Sequence, residues 1–559
     1  MAQTLNNETA AAAAVGTVLL WFCYKGFKAA GAGPLVVQML GWVTLFAVIV
    51  TVFRLIRDFR LWLLLQRLMT PRGIYGRIGG TGTINGAEIG LELSNPNGDG
   101  IPVGTDDGKN IAYWDGAGHG NVRAPTEQGK TASFFLPATV SLGAHRNIIT
   151  TGKGAEVAYK SYKYRSEVLG QKVFNIDPWG EAARLGLPTH KFNPIGHLVT
   201  LAKFRSPELG EKTRQFAYTL KPEDAKASGE NKVFRSVARD MVSEVSRYRA
   251  ICEAEHGELI CNPVGLYRDF CGSTENLLQV FREMQSCPDY DGAISAAGFR
   301  FEGVFRDTPK SAQSFLSEVT EALAIYEPSG VLAKNVEYSD FDPHIFKTPD
   351  GPGVTINLII PPGKSDIYGR HIGLVLDALA TTALEASRFA PRVTLLLDEF
   401  EMLFDGVWPT AERILKTGRS AGVNMITAVQ ETAGFSAYGD KASMWTTQPE
   451  LVMAWGIRST SDAEDYAKRA GKRSIVPISG GAKTDEHSLS YSMKEEGIDL
   501  MRIDEFMQMG PYRAAVFYKQ NPLLLVDLVH VKSVDGWAQH IPEMPDAQPE
   551  PAMPLRFKA

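Results

Sequence analysis

The chain has 559 residues and a formal net charge of −5 at pH 7, with 44% hydrophobic and 22% charged residues. That length and composition indicate a folded protein of about three domains, and the acidic balance excludes a chain that binds nucleic acid through its overall charge. The five cysteines include no C-x-x-C pair, which excludes a metal knuckle, and their spacing shows no disulfide framework.

The first 70 residues are predicted to form a membrane anchor of two transmembrane helices, at about residues 10–28 and 33–54. No charged residue occurs from Gly31 to Phe53, and this apolar stretch is long enough to cross a bilayer. The start of the chain has no Lys or Arg and a second apolar stretch follows at once, so a cleaved signal peptide is not expected. We therefore expect a helical hairpin with both of its ends on one side of the membrane.

Positive charge after the second span sets the expected orientation of this hairpin. Lys and Arg concentrate on the cytoplasmic side of membrane proteins, and four arginines follow the span: Arg54, Arg57, Arg60 and Arg67. This predicts a multi-pass protein of the bacterial inner membrane with the bulk of the chain in the cytoplasm. Lys25 and Lys28 lie in the short connection and argue against the first span.

Apolar segments separated by turn residues predict a parallel sheet that is interrupted once. Residues 71–180 and 341–537 are predicted to form one α/β domain, in which strands alternate with helices. The predicted strands are Asn121–Arg123, Asn147–Thr151, Lys172–Asp177, Val354–Ile360, Val393–Asp398, Asn424–Gln430 and Leu451–Gly456. A helix is predicted over Thr131–Val140, just after the first of these strands.

Residues 181–340 separate the two parts of the sheet and have no strong strand signal. Apolar residues recur there with helical spacing, so this segment is predicted to be an inserted all-α domain. After the sheet, Arg513–Tyr518 and Leu523–His530 flank a turn sequence, Gln520-Asn-Pro522, which predicts a β-hairpin. Residues 538–559 contain five prolines and are predicted to be a disordered tail.

A phosphate-binding loop is predicted where the sequence matches the pattern [A/G]-x-x-x-x-G-K-[S/T]. Gly129 lets the backbone curl around phosphates, Lys130 reaches the β- and γ-phosphates, and the Thr131 hydroxyl binds Mg²⁺ at the positive end of the following helix. The residues expected to contact the nucleotide are Ala124, Pro125, Thr126, Glu127, Gln128, Gly129, Lys130 and Thr131. The alternative is a polar turn before a core helix.

Two carboxylates at the end of an apolar strand are the expected partners of this loop. Val393–Leu397 is an apolar run typical of a strand that is buried on both faces, and Asp398 and Glu399 follow it. Asp398 is expected to bind Mg²⁺ through water, and Glu399 to polarise the attacking water as a general base. The alternative is a buried strand that ends in a solvated Asp-Glu pair.

Two further polar residues are candidates for the same chemistry. Gln430 ends the next apolar strand, where it could sense the γ-phosphate. Arg419 lies between the two strands, and its cation could stabilise charge on a phosphate of its own subunit or of a neighbouring one. The alternative for Arg419 is a cation at the C-terminus of a helix.

Together these motifs resemble the type IV secretion system coupling proteins, the TraG/TraD-like P-loop ATPases of conjugative DNA transfer. The resemblance covers nearly the whole chain and rests on the loop at Ala124–Thr131, Leu395–Phe400, Gly418-Arg419, Gln430 and Gly152-Lys-Gly-Ala-Glu156. The chain departs from the family at Ala124, where Gly is usual and Ala is tolerated if φ is negative. It also has Thr150-Thr151-Gly152 where the family often has Asp-Pro before Lys-Gly-Glu, which leaves the role of Lys153 open.

The resemblance implies a RecA-like P-loop nucleotide-binding fold that uses ATP and Mg²⁺. It implies an ATP hydrolase with Glu399, Gln430 and Arg419 as catalytic residues, Thr131 and Asp398 on the metal, and Arg419 acting across a boundary in a homo-hexamer. It further implies that the protein recruits a relaxase with single-stranded DNA, or protein effectors, and drives them to a type IV secretion channel. Two alternatives are an FtsK-like double-stranded DNA translocase and a non-motor receptor that docks secreted proteins.

Overall fold

The structure is a computed structural model of the chain. It describes residues 20–26, 28–31, 33, 36–50, 91–93, 98–222, 229–347, 352–385, 391–403, 407–475, 478–483, 488–493 and 496–545. Residues 20–26 and 36–50 are helical, and among the described residues no helix is long and apolar enough to cross a membrane. Much of the predicted anchor, including 1–19 and 51–70, lies outside the described residues, as do residues 546–559 of the predicted tail. The transmembrane hairpin and the inner-membrane location therefore stay predictions.

The strands and helices after residue 100 are numbered here in chain order. The strands are β1 Ile101–Gly104, β2 Ala112–Trp114, β3 Gly120–Arg123, β4 Asn147–Lys153, β5 Lys172–Ile176, β6 Val354–Ile360, β7 Val393–Leu397, β8 Val423–Val429, β9 Leu451–Ala454, β10 Lys472–Ile475, β11 Ile478–Lys483, β12 Ser488–Met493, β13 Glu496–Asp499, β14 Arg513–Tyr518 and β15 Leu524–Asp527. The α-helices are α1 Leu136–Ser141, α2 Glu156–Lys163, α3 Glu181–Arg184, α4 His197–Lys203, α5 Leu209–Leu220, α6 Glu230–His256, α7 Pro263–Cys271, α8 Thr274–Gln285, α9 Ala293–Asp307, α10 Pro309–Leu323, α11 Ser365–Leu384, α12 Pro409–Thr417, α13 Met444–Thr447, α14 Thr460–Ala470, α15 Ile503–Met507 and α16 Asp535–Ala538.

The chain divides into two compact units, each of which is described by itself. The smaller unit comprises residues 1–80 and 467–502. In it β10 pairs antiparallel with β13, and β11 pairs antiparallel with β12. The prediction places residues 467–502 in the 341–537 part of the α/β domain, and the predicted domain boundaries stay predictions.

The larger unit contains a nine-stranded sheet in the order β15-β14-β9-β3-β8-β7-β4-β6-β5. The strands from β9 to β5 are parallel, whereas β14 runs antiparallel to both of its neighbours. The predicted α/β class is thus confirmed, and the predicted hairpin is present as β14 and β15. The predicted parallel strands are also present, with ends that differ by at most two residues.

Burial on both faces of the sheet explains why its strands are continuous apolar runs. Neighbouring residues of a strand point to opposite faces, and Ile148 and Ile149 of β4 belong to different core clusters. In β7, likewise, Leu396 packs in one cluster while Leu395 and Leu397 pack in the other. Strands of this kind are typical of a parallel sheet that is covered by helices on each side.

Between β5 and β6 the described residues form helices and 3₁₀ turns, and their only β pairing is an isolated bridge at His190. The helical structure that the spacing of apolar residues predicts for this segment is therefore present. These helices share a separate apolar core, in which Phe270, Phe281 and Phe301 are buried. The longest helix, α6, ends where Gly257 adopts a left-handed conformation, as glycine commonly does after a helix C-terminus.

Candidate functional site

The segment Ala124–Thr131, called the phosphate loop below, leaves the carboxyl end of β3. The backbone N–H of Ala124 donates to the carbonyl of Val429 at 3.2 Å, which ties the start of the loop to the end of β8. Ala124 is fully buried, and it is not among the residues with positive φ. Alanine at this first position therefore introduces no backbone strain.

Two left-handed residues shape the middle of the phosphate loop. Glu127 has φ +65° and Gly129 has φ +71°, a region that strongly favours glycine. Tight turns of this kind group backbone N–H groups around a concave, anion-binding surface. The N–H of Ser133 donates to the carbonyl of Gly129 at 2.9 Å, so the following helix begins directly at the loop.

The Lys130 side chain folds back across the phosphate loop. Its Nζ donates to the carbonyl of Ala124 at 2.9 Å, and the residue is only 8% exposed. Its charge also lowers the pKa values of Asp398 and Glu401, against the effect of their burial. A single cation therefore faces both the loop and the acidic residues.

The helix after the loop differs from the predicted regular helix over Thr131–Val140. Thr131–Phe135 is a π-helical turn, and the α-helix begins only at Leu136. Pro137 has no N–H to donate to the carbonyl four residues earlier, which disfavours regular α-helical pairing in the preceding turn. Ser133 lies in this turn, and its buried hydroxyl has no hydrogen-bond partner among the described residues.

Asp398 and Glu399 follow β7 at the same edge of the sheet as the phosphate loop. The carbonyl of Asp398 accepts from the Thr151 hydroxyl at 3.1 Å, and its carboxylate accepts from the N–H of Glu399 at 3.0 Å. Burial raises the pKa of Asp398 to about 6; Lys130 opposes this rise, and the charge of Glu399 adds to it. The site thus holds a carboxylate that lacks sufficient compensating positive charge.

Glu399 has an unusual backbone conformation and a cationic partner. Its φ of +49° lies in the left-handed region, a conformation whose cost is on the order of 1 kcal/mol for a residue with a side chain. Its carboxylate lies 3.2 Å from the Nζ of Lys153, at the end of β4. The side chain whose role the sequence left open is therefore in contact with the expected general base.

Glu401 is a third acidic residue at this edge, and the sequence interpretation missed it. One of its carboxylate oxygens accepts from the N–H of Gln430 at 3.3 Å. The other is buried without a partner among the described residues, and burial raises the pKa of this carboxyl. The only sequence signal was a carboxylate two residues after Glu399, which is common on protein surfaces.

Gln430 and Arg419 lie at opposite ends of β8, Gln430 at the carboxyl ends of the parallel strands and Arg419 at their amino ends. Gln430 follows β8, which lies between β3 and β7, so it shares an edge with the phosphate loop and Asp398. Arg419 lies in the 3₁₀ turn Gly418–Ala421 before β8. Burial lowers the pKa of His119, which lies before β3, and the charge of Arg419 lowers it further. The seven residues of β8 separate the two positions by roughly 20 Å. The structure therefore does not bring Arg419 to the phosphate loop of its own chain.

Replacing Asp398 with Asn is expected to stabilise the nucleotide-free protein. An aspartate whose pKa rises from 3.8 to about 6 on folding destabilises the folded state above pH 6, by up to about 3 kcal/mol. The advantage of Asn should be largest at pH 7.5 and shrink as the pH falls through 6 towards 4, where the carboxyl is protonated in the folded state and partly protonated in the unfolded one. Thermal unfolding across this pH range measures it, with Asp240→Asn, at an exposed aspartate of α6, as control. An advantage that grows on acidification would contradict the assignment.

The fold and the site define a class of protein. A parallel sheet places a phosphate loop after one strand and paired carboxylates after another, with a polar strand end between them, as P-loop nucleotide-binding folds do. No curated protein sequence matches the chain. The family described as Type IV secretory system Conjugative DNA transfer matches residues 86–527. The chain therefore belongs to this family, and its predicted relationship to the type IV coupling proteins is confirmed.

Solved structures share the fold at low sequence identity. The bacterial conjugative coupling protein TrwBdeltaN70 is 14% identical, with a TM-score of 0.55 over 74% of this chain and 85% of that one. The plasmid coupling protein TrwB bound to a non-hydrolysable ATP analogue is 15% identical, with a TM-score of 0.56 over 85% and 97% of the respective chains. TrwB with ADP and Mg²⁺ is 15% identical, with a TM-score of 0.52 over 74% and 85%. These likenesses show a RecA-like P-loop α/β fold.

Proposed function

We propose that this chain is a membrane-anchored ATPase coupling protein, which hydrolyses ATP to drive conjugative transfer. The observation that carries the proposal is the meeting of the phosphate loop, Asp398, Glu399 and Gln430 at one edge of the sheet. Relatives of this fold bound to ADP with Mg²⁺ and to an ATP analogue support ATP as the nucleotide.

The charges of the site fit a magnesium–nucleotide complex. No group of three or more His, Cys, Asp or Glu residues forms a ready-made metal cage in the described part of the chain. Mg²⁺ is usually held by one or two protein oxygens together with substrate phosphates. Thr131 and Asp398 would supply those oxygens. Burial raises the pKa of Asp398, and a cation bound beside it would stabilise its charged form. When bound, Mg²⁺ neutralises charge on the phosphates.

Each side chain of the site then has a separate role in ATP hydrolysis. Lys130 leaves its carbonyl partner and binds the β- and γ-phosphates, while Glu399 takes a proton from the attacking water. Lys153 holds the Glu399 carboxylate in place, and the amide of Gln430 contacts the γ-phosphate. Arg419 would complete the site of a neighbouring subunit, because it lies at the opposite end of β8 from the phosphate loop of its own chain.

The wider role follows from the family and from the predicted anchor. Membership in a conjugative DNA-transfer family supports single-stranded DNA with an attached relaxase as the substrate, with protein effectors as a further possibility. The protein would form a homo-hexamer at the bacterial inner membrane and pass its substrate to a type IV secretion channel. An FtsK-like translocase of double-stranded DNA and a non-motor docking receptor are the alternatives.

Lys130→Ala is expected to weaken ATP binding by roughly tenfold to a hundredfold, since a charged hydrogen bond to the phosphates is lost. It should also abolish ATP hydrolysis and conjugative transfer. The measurements are ATP affinity, ATPase activity with added single-stranded or double-stranded DNA, and mating frequency. Lys109→Ala, which removes the same charge from an exposed loop, is the matched control.

Each alternative gives a different result in the same assays. Stimulation of wild-type activity by double-stranded DNA alone would favour the FtsK-like translocase. Transfer that persists in the Lys130→Ala strain would favour the docking receptor. Wild-type protein that neither binds nor hydrolyses ATP would refute the proposal.

A further inference from the structure

The phosphate loop follows β3, which has strands on both flanks, and only one flank carries the carboxylates. Asp398 and Gln430 follow β7 and β8, whereas β9 and β14 lie on the other side of β3. If the terminal phosphate is directed towards Asp398, as the proposed function requires, the sugar and base extend towards β9 and β14. The residues that follow β9 and those that precede β14, which runs antiparallel to it, are therefore the ones that can contact the base.

The residues that follow β9 support the phosphate loop and leave no free aromatic surface. Trp455 is buried, and its indole N–H donates to the carbonyl of Gln128 at 2.8 Å. Its backbone N–H donates to the carbonyl of Arg123 at 3.1 Å. Gly456 has φ +60° and lies against the side chain of Gln128. A β-carbon on Gly456 would be only 2.7 Å from the side-chain oxygen of Gln128.

Tyr512, which precedes β14, does present an aromatic surface beside the loop. Because β14 is antiparallel to β9, with Ala515 opposite Ala454, its first residues lie at the carboxyl edge of the parallel strands. The Cε1 atom of Tyr512 is 3.5 Å from the position that a β-carbon on Gly129 would occupy. The residue nevertheless remains 41% exposed. The ring of Tyr512 therefore lies against the phosphate loop while part of the residue stays exposed to solvent.

The backbone of Tyr512 is held in a costly conformation. Its φ of +63° lies in the left-handed region, which bulky residues rarely adopt. The N–H of Leu528 donates to the carbonyl of Tyr512 at 2.7 Å, and the N–H of Arg513 donates to Gly510 at 3.3 Å. Strained residues that the surrounding structure fixes in this way cluster at sites that clamp ligands.

We propose that Tyr512 stacks on the base of the nucleotide bound at the phosphate loop. The inference rests on the proposed nucleotide binding and adds a residue that determines how the base is held. Aromatic stacking uses the face of the base and tolerates any base, so ATP and GTP should depend on Tyr512 alike. A ligand without a base should not depend on it.

The test compares ligands with and without a base on the purified full-length chain. Affinities for ATP, GTP and inorganic tripolyphosphate, each with Mg²⁺, are measured by titration calorimetry for wild type, Tyr512→Ala and Tyr512→Phe. Tyr512→Ala should lose roughly tenfold in affinity for both nucleotides, with tripolyphosphate affinity unchanged. Tyr512→Phe keeps the ring and should match wild type. Tyr218→Ala, at a tyrosine on α5 that is 42% exposed, is the matched control.

Three results would overturn the inference. Equal losses for nucleotides and tripolyphosphate would show that Tyr512 shapes the loop rather than binding the base, with the proposed nucleotide function intact. A loss for ATP but not for GTP would indicate recognition of a base edge instead of stacking. A wild-type chain that binds none of the ligands would refute the proposed function and this inference with it.

Discussion

Glu399→Gln is expected to lower ATP hydrolysis by roughly 10²- to 10⁴-fold, the usual contribution of a general base. ATP affinity should stay close to wild type, because the amide keeps the shape of the carboxylate and Lys130 is unaffected. Steady-state ATPase assays and nucleotide titrations on the same preparation separate these two effects. Conjugative transfer should be lost together with hydrolysis.

One control and one further variant accompany this prediction. Glu167→Gln makes the same chemical change at an exposed carboxylate and should leave hydrolysis unchanged. Lys153→Met removes the cation 3.2 Å from Glu399 and tests whether that ion pair holds the base in position. If Glu399→Gln hydrolyses ATP at the wild-type rate, the attacking water is activated by another group, and buried Glu401 becomes the next candidate.

Arg419→Ala is expected to reduce ATP hydrolysis by roughly 10³-fold, as the loss of an arginine supplied from a neighbouring subunit does. ATP affinity should change little, since Arg419 lies at the opposite edge of the sheet from the phosphate loop of its own chain. Arg184→Ala, which removes an exposed arginine from α3, is the control.

Mixing the Arg419→Ala and Lys130→Ala proteins tests the placement directly. In a ring with head-to-tail contacts, random mixing leaves roughly a quarter of the interfaces with an intact loop and an intact arginine. Activity should therefore reappear, although each protein alone is inactive. If Arg419 acted within its own subunit, every site in the mixture would lack one group, and the mixture would stay inactive.

Local sequence patterns predicted the phosphate loop, the buried strands and the helical character of 181–340. The reason is that each pattern is confined to a short segment. A strand buried on both faces must be apolar throughout, as β6 and β7 are, and a loop that surrounds phosphates needs Gly129 and Lys130 at fixed spacing. The π-helical turn after the loop was not predicted, because the helical periodicity does not report which carbonyl each N–H bonds.

Contacts between distant segments depended on the order of strands in the sheet. The insertion of β8 between β3 and β7 places Gln430 beside the loop and Arg419 at the far edge. The pairing of β4 with β7 brings Lys153 to Glu399, two residues for which spacing along the chain gives no hint. Tyr512 reaches Gly129 only because β14 runs antiparallel to β9.

The sequence by itself thus predicted which residues would bind phosphate and Mg²⁺, because those requirements are chemical and local. The tertiary structure decided which of them lie together within one subunit, since backbone pairing sets which strand ends become neighbours. It also identified Glu401 and Tyr512, whose relevance comes from burial, charge and proximity to the phosphate loop and its acidic partners.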